Sequence, residues 1–585
     1  MWRLSFNLSV QGYKGELIMS EYMIIDGIKA EINGEKNILE LARKVGIEIP
    51  AFCYDPELSI YGACRMCMFE DERGRLDASC STPPRAGMVI KTNTPKLRKY
   101  RKMILELLLA NHCRDCTICH MSGKCRLQEF AYKFNIEGVR FPNNSCSLSP
   151  DSSSNCIIRE PGKCILCGKC VRMCNEIQAV GAIDYAYRGS KMKIATAFDG
   201  DISNSPCVGC GQCAAVCPTG AIVIRDDADL VWKALGDPEV EVSVQVAPAV
   251  RVGLGTEFGF EEGTNVMGKL VTALREIGFD KVYDTNIGAD LTIVEEANEL
   301  VQRVKKGGKL PMFTSCCPAW IRFAEDKYPD LLDNISTCKS PMQMLAATVK
   351  ATYKGEKKHV HVAIMPCSAK KDEAKRAKFN GDVDFVLSTQ EAVRMIREHG
   401  IHFKYLEESL PDVPFKEHTG ASVIFGASGG VMEAALRTAV ETLTGEKLGA
   451  IEFKEVRGMQ GVKEAEYDVK GLKVKVAVVS GLKNAKDLCD KVRNGQADYQ
   501  FIEVMSCPGG CVNGGGQPFV DAFKRSEMDY KGMRAKGLYD TDANMSNRKS
   551  HENMSITYLY DSFFGEVGGH KAHELLHTHY EPKKK

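Results

Sequence analysis

The chain has 585 residues, of which 77 are basic and 76 acidic, giving a net charge of +1, and 44% are hydrophobic. That length predicts roughly three to five domains at about 100–200 residues each, and so even a charge balance excludes a global field for nucleic acid or an anionic membrane. The 25 cysteines are too many for an ordinary enzyme core, while the chain is too long for the small disulfide-stapled class. The first ten residues lack the roughly 7–15-residue apolar core of a signal peptide. No stretch reaches the ~18 apolar residues of a membrane span; the longest greasy run is 103–110. A soluble, cytoplasmic protein in a reducing compartment is expected, with Met19 or Met23 as alternative starts.

Eighteen cysteines lie from Cys53 to Cys217 and seven beyond, which predicts stacked small metal domains followed by one large conventional domain. The first strand-like pattern is Met23-Ile-Ile-Asp-Gly, and the segment 22–98 holds Cys53, Cys64, Cys67 and Cys80 as C-x10-C-x2-C-x12-C. Four thiolates with one CxxC pair suit a [2Fe–2S] centre; a structural zinc is compatible with the same spacing. The segment 99–142 follows with His112, Cys116, Cys119 and Cys125 as H-x3-C-x2-C-x5-C. One histidine and three cysteines make a set for a [4Fe–4S] cluster or for zinc, with Cys113 and His120 in reach of the same centre. The Ser/Asn-rich stretch 143–155 reads as a linker.

Within 155–232, Cys164, Cys167, Cys170 and Cys174 repeat as Cys207, Cys210, Cys213 and Cys217. C-x2-C-x2-C-x3-C twice is the two-cluster ferredoxin pattern, in which each fourth cysteine serves the other cluster. One [4Fe–4S] is therefore expected on Cys164, Cys167, Cys170 and Cys217, and the other on Cys207, Cys210, Cys213 and Cys174.

The remainder, from 240 to 518, reads α/β. Short β-branched runs fall at 242–246, 312–314, 360–364, 383–387, 423–425, 474–479 and 501–504, with helical patterns between them at 266–277 and 431–443. Three runs end in cysteine, at Cys316-Cys317, Cys367 and Cys507. In open α/β sheets ligands collect beyond the carboxyl ends of the strands, so distant cysteines can converge there. The stretch 291–303 reads helical. It sets Glu296 and Glu299 three apart and Arg303 four beyond Glu299, on spacing alone an ordinary surface charge set. Glycines flanking Cys511 permit φ > 0 and close backbone approach.

Three segments carry a specific likeness: Thr314-Ser-Cys-Cys-Pro-Ala-Trp320, Met365-Pro-Cys-Ser-Ala-Lys-Lys371 and Glu503-Val-Met-Ser-Cys-Pro-Gly-Gly-Cys-Val-Asn-Gly-Gly-Gly-Gln-Pro518. They resemble, in order, the signature segments of [FeFe]-hydrogenases, and the likeness runs from about Ile25 to the end. The first two cysteine modules resemble those of respiratory complex I's large iron–sulfur subunit. His551-Glu-Asn and His573-Glu-Leu-Leu-His-Thr resemble the family's tail and place 519–585 as an extension on the catalytic domain. The implied fold is multidomain α+β and α/β. It comprises a plant-type ferredoxin domain, a His-ligated [4Fe–4S] module, a two-[4Fe–4S] ferredoxin domain and a large two-lobed α/β active-site domain.

The resemblance further implies that Cys317, Cys367, Cys507 and Cys511 hold a [4Fe–4S] cube. Cys511 bridges it to a two-iron subsite bearing CO, CN⁻ and a dithiolate, together the H-cluster. Lys370 would hydrogen-bond one cyanide and the Pro248–Ala249 backbone the other, with Met365, Pro366, Phe425 and Met505 in the cofactor wall. Ala249 and Met342 stand where relatives carry serine and glutamine. Cys316, Glu296, Ser336 and Glu299 match the family's proton path, with Arg303 at its outer end. The implied activity is reversible H2 oxidation and proton reduction, with electrons passing through one [2Fe–2S] and three [4Fe–4S] clusters. Gly253-Leu-Gly255 lacks the third glycine of a dinucleotide fingerprint. Redox partner subunits binding NAD(P) or flavin are therefore expected; a stand-alone ferredoxin-linked hydrogenase, or a non-catalytic assembly or sensor protein, is the alternative.

Overall fold

The computed structural model describes residues 21–142, 148–379, 381–448, 451–469 and 471–583; the proposed start at Met19 and the 143–147 part of the linker lie outside them. Tyr22–Ile25 turns back through Asp26 and Gly27, both at positive φ, onto Ile28–Glu31. The first strand also pairs in parallel with Val89–Lys91, within a five-stranded sheet. Period-two alternation buries Met23 and Ile25 against the helix Ile38–Lys44, which is capped by the Asn37 side chain. Thr94 caps the next helix, Pro95–Ala110. From that helix the buried Arg101 donates to the carbonyls of Met66, Met68 and Thr92, fastening it to the strand behind the CxxC pair.

The two-fold cysteine repeat is built around the antiparallel pair Ile157–Arg159 and Ile222–Ile224. The 148–155 portion of the expected linker is no free tether. Asp151 bridges to Arg159, Arg225 donates to the carbonyls of Ser152 and Ser154, and Asn155 donates to Asp372. Polar composition here serves hydrogen bonding rather than freedom.

Two four-stranded sheets make the two lobes of the 240–518 region. In the first, Lys281–Asp284, Val240–Val246, Lys358–Met365 and Phe385–Ser388 run in that order, all parallel. In the second, Met312–Phe313, Phe501–Met505 and Leu472–Ser480 are parallel and Val462–Val469 closes the edge antiparallel. The central strands are buried on both faces and are largely apolar for that reason. Helix Asn286–Lys306 packs against both Pro341–Thr352 and Gly430–Thr444. Among the described residues no helix is long and apolar enough to cross a membrane.

The run 423–425 is not a strand. It forms the helical turn Gly420–Val423 followed by a tight turn over Ile424–Gly426. Its residues are apolar because every side is buried, and three such residues cannot set a period. The Asp290 carboxylate, accepting from the Thr419 N–H and hydroxyl, fixes the entry to this turn. At Gly426 an added Cβ would lie 2.5 Å from Leu538 Cδ1, so the turn packs directly on the C-terminal helix Tyr530–Ala543. Likewise 383–387 pairs as a strand only from Phe385 onward. The C-terminal helix is held to Gly430–Thr444 by Arg437, completely buried, which binds Glu433 at 2.7 Å and Asp542 at 2.8 Å.

Candidate active site and cluster-binding thiols

Among the described cysteines none is in a disulfide, and they gather in groups. Cys53 lies against both Cys64 and Cys80, and Cys67 against Cys80. Beyond the helix Pro95–Ala110, Cys125 faces Cys116 and Cys119. His112, just past the same helix, is buried beside Lys163, and burial lowers its imidazole to about 4, a neutral ring suited to a metal. His120 instead lines a cleft beside Lys124 and Arg394, and Cys113 turns its thiol to Asp115.

Cys164, Cys167, Cys170 and Cys217 line one small cavity; Cys174, Cys207, Cys210 and Cys213 line another. The exchange of fourth cysteines follows from the antiparallel pair, which carries each loop's end past the other. Gly168, Gly209 and Gly211, at φ near 70°, turn these loops.

Three cysteine-ended strands from the two sheets converge on a cavity of about 70 Å³, lined by Pro248, Ala249, Thr285, Cys316, Met342, Met365, Pro366, Cys367, Lys370, Phe425, Met505 and Cys511. Cys317, Cys367 and Cys507 act on one another and on Cys511 electrostatically. The Cys317 sulfur accepts from the Ser506 N–H at 3.4 Å, and the Cys507 sulfur from the Gln212 amide at 3.2 Å. Buried sulfurs that accept N–H bonds, with no disulfide among them, suit thiolates bound to iron better than free thiols, which burial alone would disfavour as anions. Lys370, also buried, donates to the Cys316 carbonyl at 3.2 Å and to Glu373 at 2.7 Å. Its ammonium therefore stays charged at a largely apolar wall.

The glycines of the 509–516 run serve both expected uses, positive φ and close backbone approach. Gly509 and Gly510 have φ of 83° and 96°. At Gly514 and Gly515 a Cβ would meet the Pro366 carbonyl at 2.1 Å and the Cys210 carbonyl at 2.4 Å. They admit protein backbone, docking this loop on the ferredoxin-like domain. Gly253 is likewise filled by Gln517, so Gly253-Leu-Gly255 is a packing feature and not a phosphate loop.

From the cavity, a polar run leads outward along Asn286–Lys306. Glu296 is fully buried next to Cys316. Burial and the neighbouring Glu299 raise its carboxyl to about 8, so it carries a proton at neutral pH. Burial, Glu296 and the neighbouring thiols also hold Cys316 well above the ordinary thiol range. Ser336 donates to Glu299 at 2.9 Å, and Arg303 donates to Glu299 at 2.6 Å. Arg303 also donates to the carbonyls of residues 333–335, which holds that loop in place. A helix surface charge pair has become an interior one because residues 333–337 and the C-terminal segment cover it.

Sequence reasoning missed a second polar group. Thr285 donates to Gln245, whose amide binds the Met342 carbonyl at 3.0 Å and His361 at 2.8 Å; His361 in turn meets Ser243 at 2.7 Å. His361 is fully buried and held neutral. Its only sequence signal is polar residues within an otherwise apolar buried strand, at Ser243, Gln245 and His361.

Comparison with known proteins accords with this geometry. Residues 240–515 match the iron only hydrogenase large subunit, C-terminal domain, and 528–583 the iron hydrogenase small subunit. Residues 23–95 match a 2Fe-2S iron–sulfur cluster binding domain, 101–140 the NADH-ubiquinone oxidoreductase-G iron–sulfur binding region, and 163–221 a 4Fe-4S dicluster domain. The chain is 42% identical over 577 residues to the NADP-reducing hydrogenase subunit HndD of Solidesulfovibrio fructosivorans, covering 95% of this chain and 98% of that one. It is 39% identical over 570 residues to iron hydrogenase 1 of Clostridium pasteurianum, covering 96% and 99%. A single-residue variant of apo [FeFe]-hydrogenase HydA1 from Chlamydomonas reinhardtii aligns with a TM-score of 0.54 at 40% identity, over 61% of this chain and 99% of that one. The chain belongs to the iron-only, or [FeFe], hydrogenases.

Proposed function

We propose that this hydrogenase is the catalytic subunit of an NADP-linked complex, in which partner subunits bind the nucleotide and flavin. The similarity to an NADP-reducing hydrogenase subunit across 95% of the chain carries this reading. Copurification, then assay of the complex with NADP+, NAD+ and ferredoxin, tests it; ferredoxin as the only acceptor would overturn it.

The cavity is assigned to the H-cluster, with Cys317, Cys367, Cys507 and Cys511 as its ligands and Lys370 and the Pro248–Ala249 backbone against its diatomic ligands. Bound there, that cluster supplies the two-electron chemistry of H2. Cys316, Glu296, Ser336 and Glu299 hand protons in series, with Arg303 anchoring the outer carboxylate. Electrons take the other side. Gln212, beside Cys213, binds both the Cys507 sulfur and the Asn513 carbonyl, which joins the second ferredoxin-like site to the cavity loop.

With one [2Fe–2S], three [4Fe–4S] and a six-iron active cluster, matured protein should hold about 20 irons per chain. A plateau near about 14 would exclude the active-site assignment, and stoichiometric zinc in place of iron on His112, Cys116, Cys119 and Cys125 would exclude that cluster. Cys64→Ala should remove the outermost [2Fe–2S] centre and most turnover with the natural partner, while most turnover with a small redox dye remains. Equal losses with both donors would contradict a peripheral relay.

A further inference from the structure

Outside the cavity, one group of ligand-type side chains combines three chemistries. The Glu299 carboxylate, the Cys338 thiol and the His577 imidazole each offer one atom, and these atoms lie within 4.8 Å of one another. They come from three separate parts of the chain. Glu299 is on the helix Asn286–Lys306, Cys338 lies in the loop before Pro341–Thr352, and His577 follows the short helix His570–Leu576. A β-bridge between Cys338 and His577 holds the last two together. Cys338 is fully buried, and the side chains of Glu299 and His577 are 15% and 6% exposed.

The surroundings match those of a metal site. His577 Nε2 lies 3.2 Å from Glu295. A proton on Nε2 donated to that carboxylate leaves the Nδ1 lone pair facing the group, where the Thr337 hydroxyl now sits at 2.8 Å. A carboxylate behind a histidine is the usual outer support of a metal-bound imidazole. Glu295 is itself fixed by the Tyr560 hydroxyl and the Gly568 N–H. The Glu295 and Glu299 carboxylates both act on Cys338, and Arg303 is the cation paired with Glu299, so local charge favours a divalent ion. Thiolate and imidazole select zinc-class metals over magnesium or calcium.

We propose that Glu299, Cys338 and His577 form a binding site for a zinc-class divalent cation at the outer end of the proton route, and that its occupation shuts off proton supply. The Cys338 proton leaves to solvent as the metal–sulfur bond forms; the Glu299 carboxylate, once on the metal, no longer accepts from Ser336. The shut-off rests on the proposed role of Glu299, whereas the metal site does not.

The test uses the matured full-length enzyme, Cys338→Ala and His577→Ala, neither of which belongs to the proposed proton route. Each is checked for unchanged cluster absorbance and CO/CN⁻ bands. Zinc is titrated against turnover while bound zinc is measured by equilibrium dialysis and zinc K-edge absorption, with magnesium as control. The expected result is one zinc with a single sulfur ligand and loss of most turnover. Half-inhibition should move to at least roughly 10–100-fold higher zinc in either variant, the scale of weakening a metal's support, and magnesium should be without effect. Equal inhibition of wild type and both variants overturns the site. One sulfur-ligated zinc that is lost in Cys338→Ala but leaves wild-type turnover intact overturns the shut-off. If Glu299→Gln is then also fully active, the proton-route reading fails separately.

Discussion

Cys316→Ser should keep its iron content and its CO/CN⁻ infrared bands while turnover falls by about 10²–10⁴-fold, the usual loss when a general acid–base group is removed. The side chain lines the cavity beside Lys370 and Cys511, whereas its neighbour Cys317 turns its sulfur to the Ser506 N–H. Consecutive residues at a strand end diverge, so the pair divides between the cavity and the thiol group. Serine nearly preserves volume, yet its hydroxyl is far too weak an acid to give and regain a proton. Behind it, Glu296 at about 8 supplies a proton at neutral pH. Proton-reducing turnover should therefore decline as pH rises through about 8 and this carboxyl ionises. Glu296→Gln should remove that limb, and Glu299→Gln should slow the same serial supply. Loss of the cluster in Cys316→Ser would make Cys316 a ligand; full activity would move the route elsewhere.

Arg437→Met should destabilise the catalytic domain by about 3–5 kcal/mol, the range for removing one partner of a buried ion pair. Arg437 joins Glu433 and Asp542, all three at 0–1% side-chain exposure, and also binds the Ile451 and Arg548 carbonyls. Glu433 retains Arg457 and Asp542 retains Arg548, which holds the loss toward the lower end. The measurement is the thermal midpoint together with limited proteolysis. Earlier cleavage should fall within 528–583, because Asp542 is one of the points where that segment is pinned. An unchanged midpoint would mean that Arg457 and Arg548 compensate fully.

The parts of this molecule legible from sequence are those written in local spacing. Cys174 and Cys217 stand at fixed distances from their trios, and the structure has each lining the cavity of the other repeat. The three cysteine-ended runs stood out because parallel strands buried on both faces are predominantly apolar stretches. Run 423–425 misled for the same reason: burial on every side makes a helical turn as apolar as a strand, and three residues hold no period. Gln245 and His361 were silent because their importance comes from a diagonal contact between adjacent strands, about 116 positions apart. Cys338 and His577 were silent likewise, since nothing local marks a partnership closed by the final turns of the chain.

The contact of Gly515 with the Cys210 carbonyl has a bearing on how this enzyme can be rebuilt. A loop lacking side chains here forms a socket cut to one particular neighbour, and Gln212 is the key that enters it. The catalytic lobes are therefore not a portable cartridge. Wiring them to a foreign electron donor calls for carrying the 210–212 turn along with the active-site loop, because Gly515 leaves room for that backbone and Gln212 supplies the bond to Asn513.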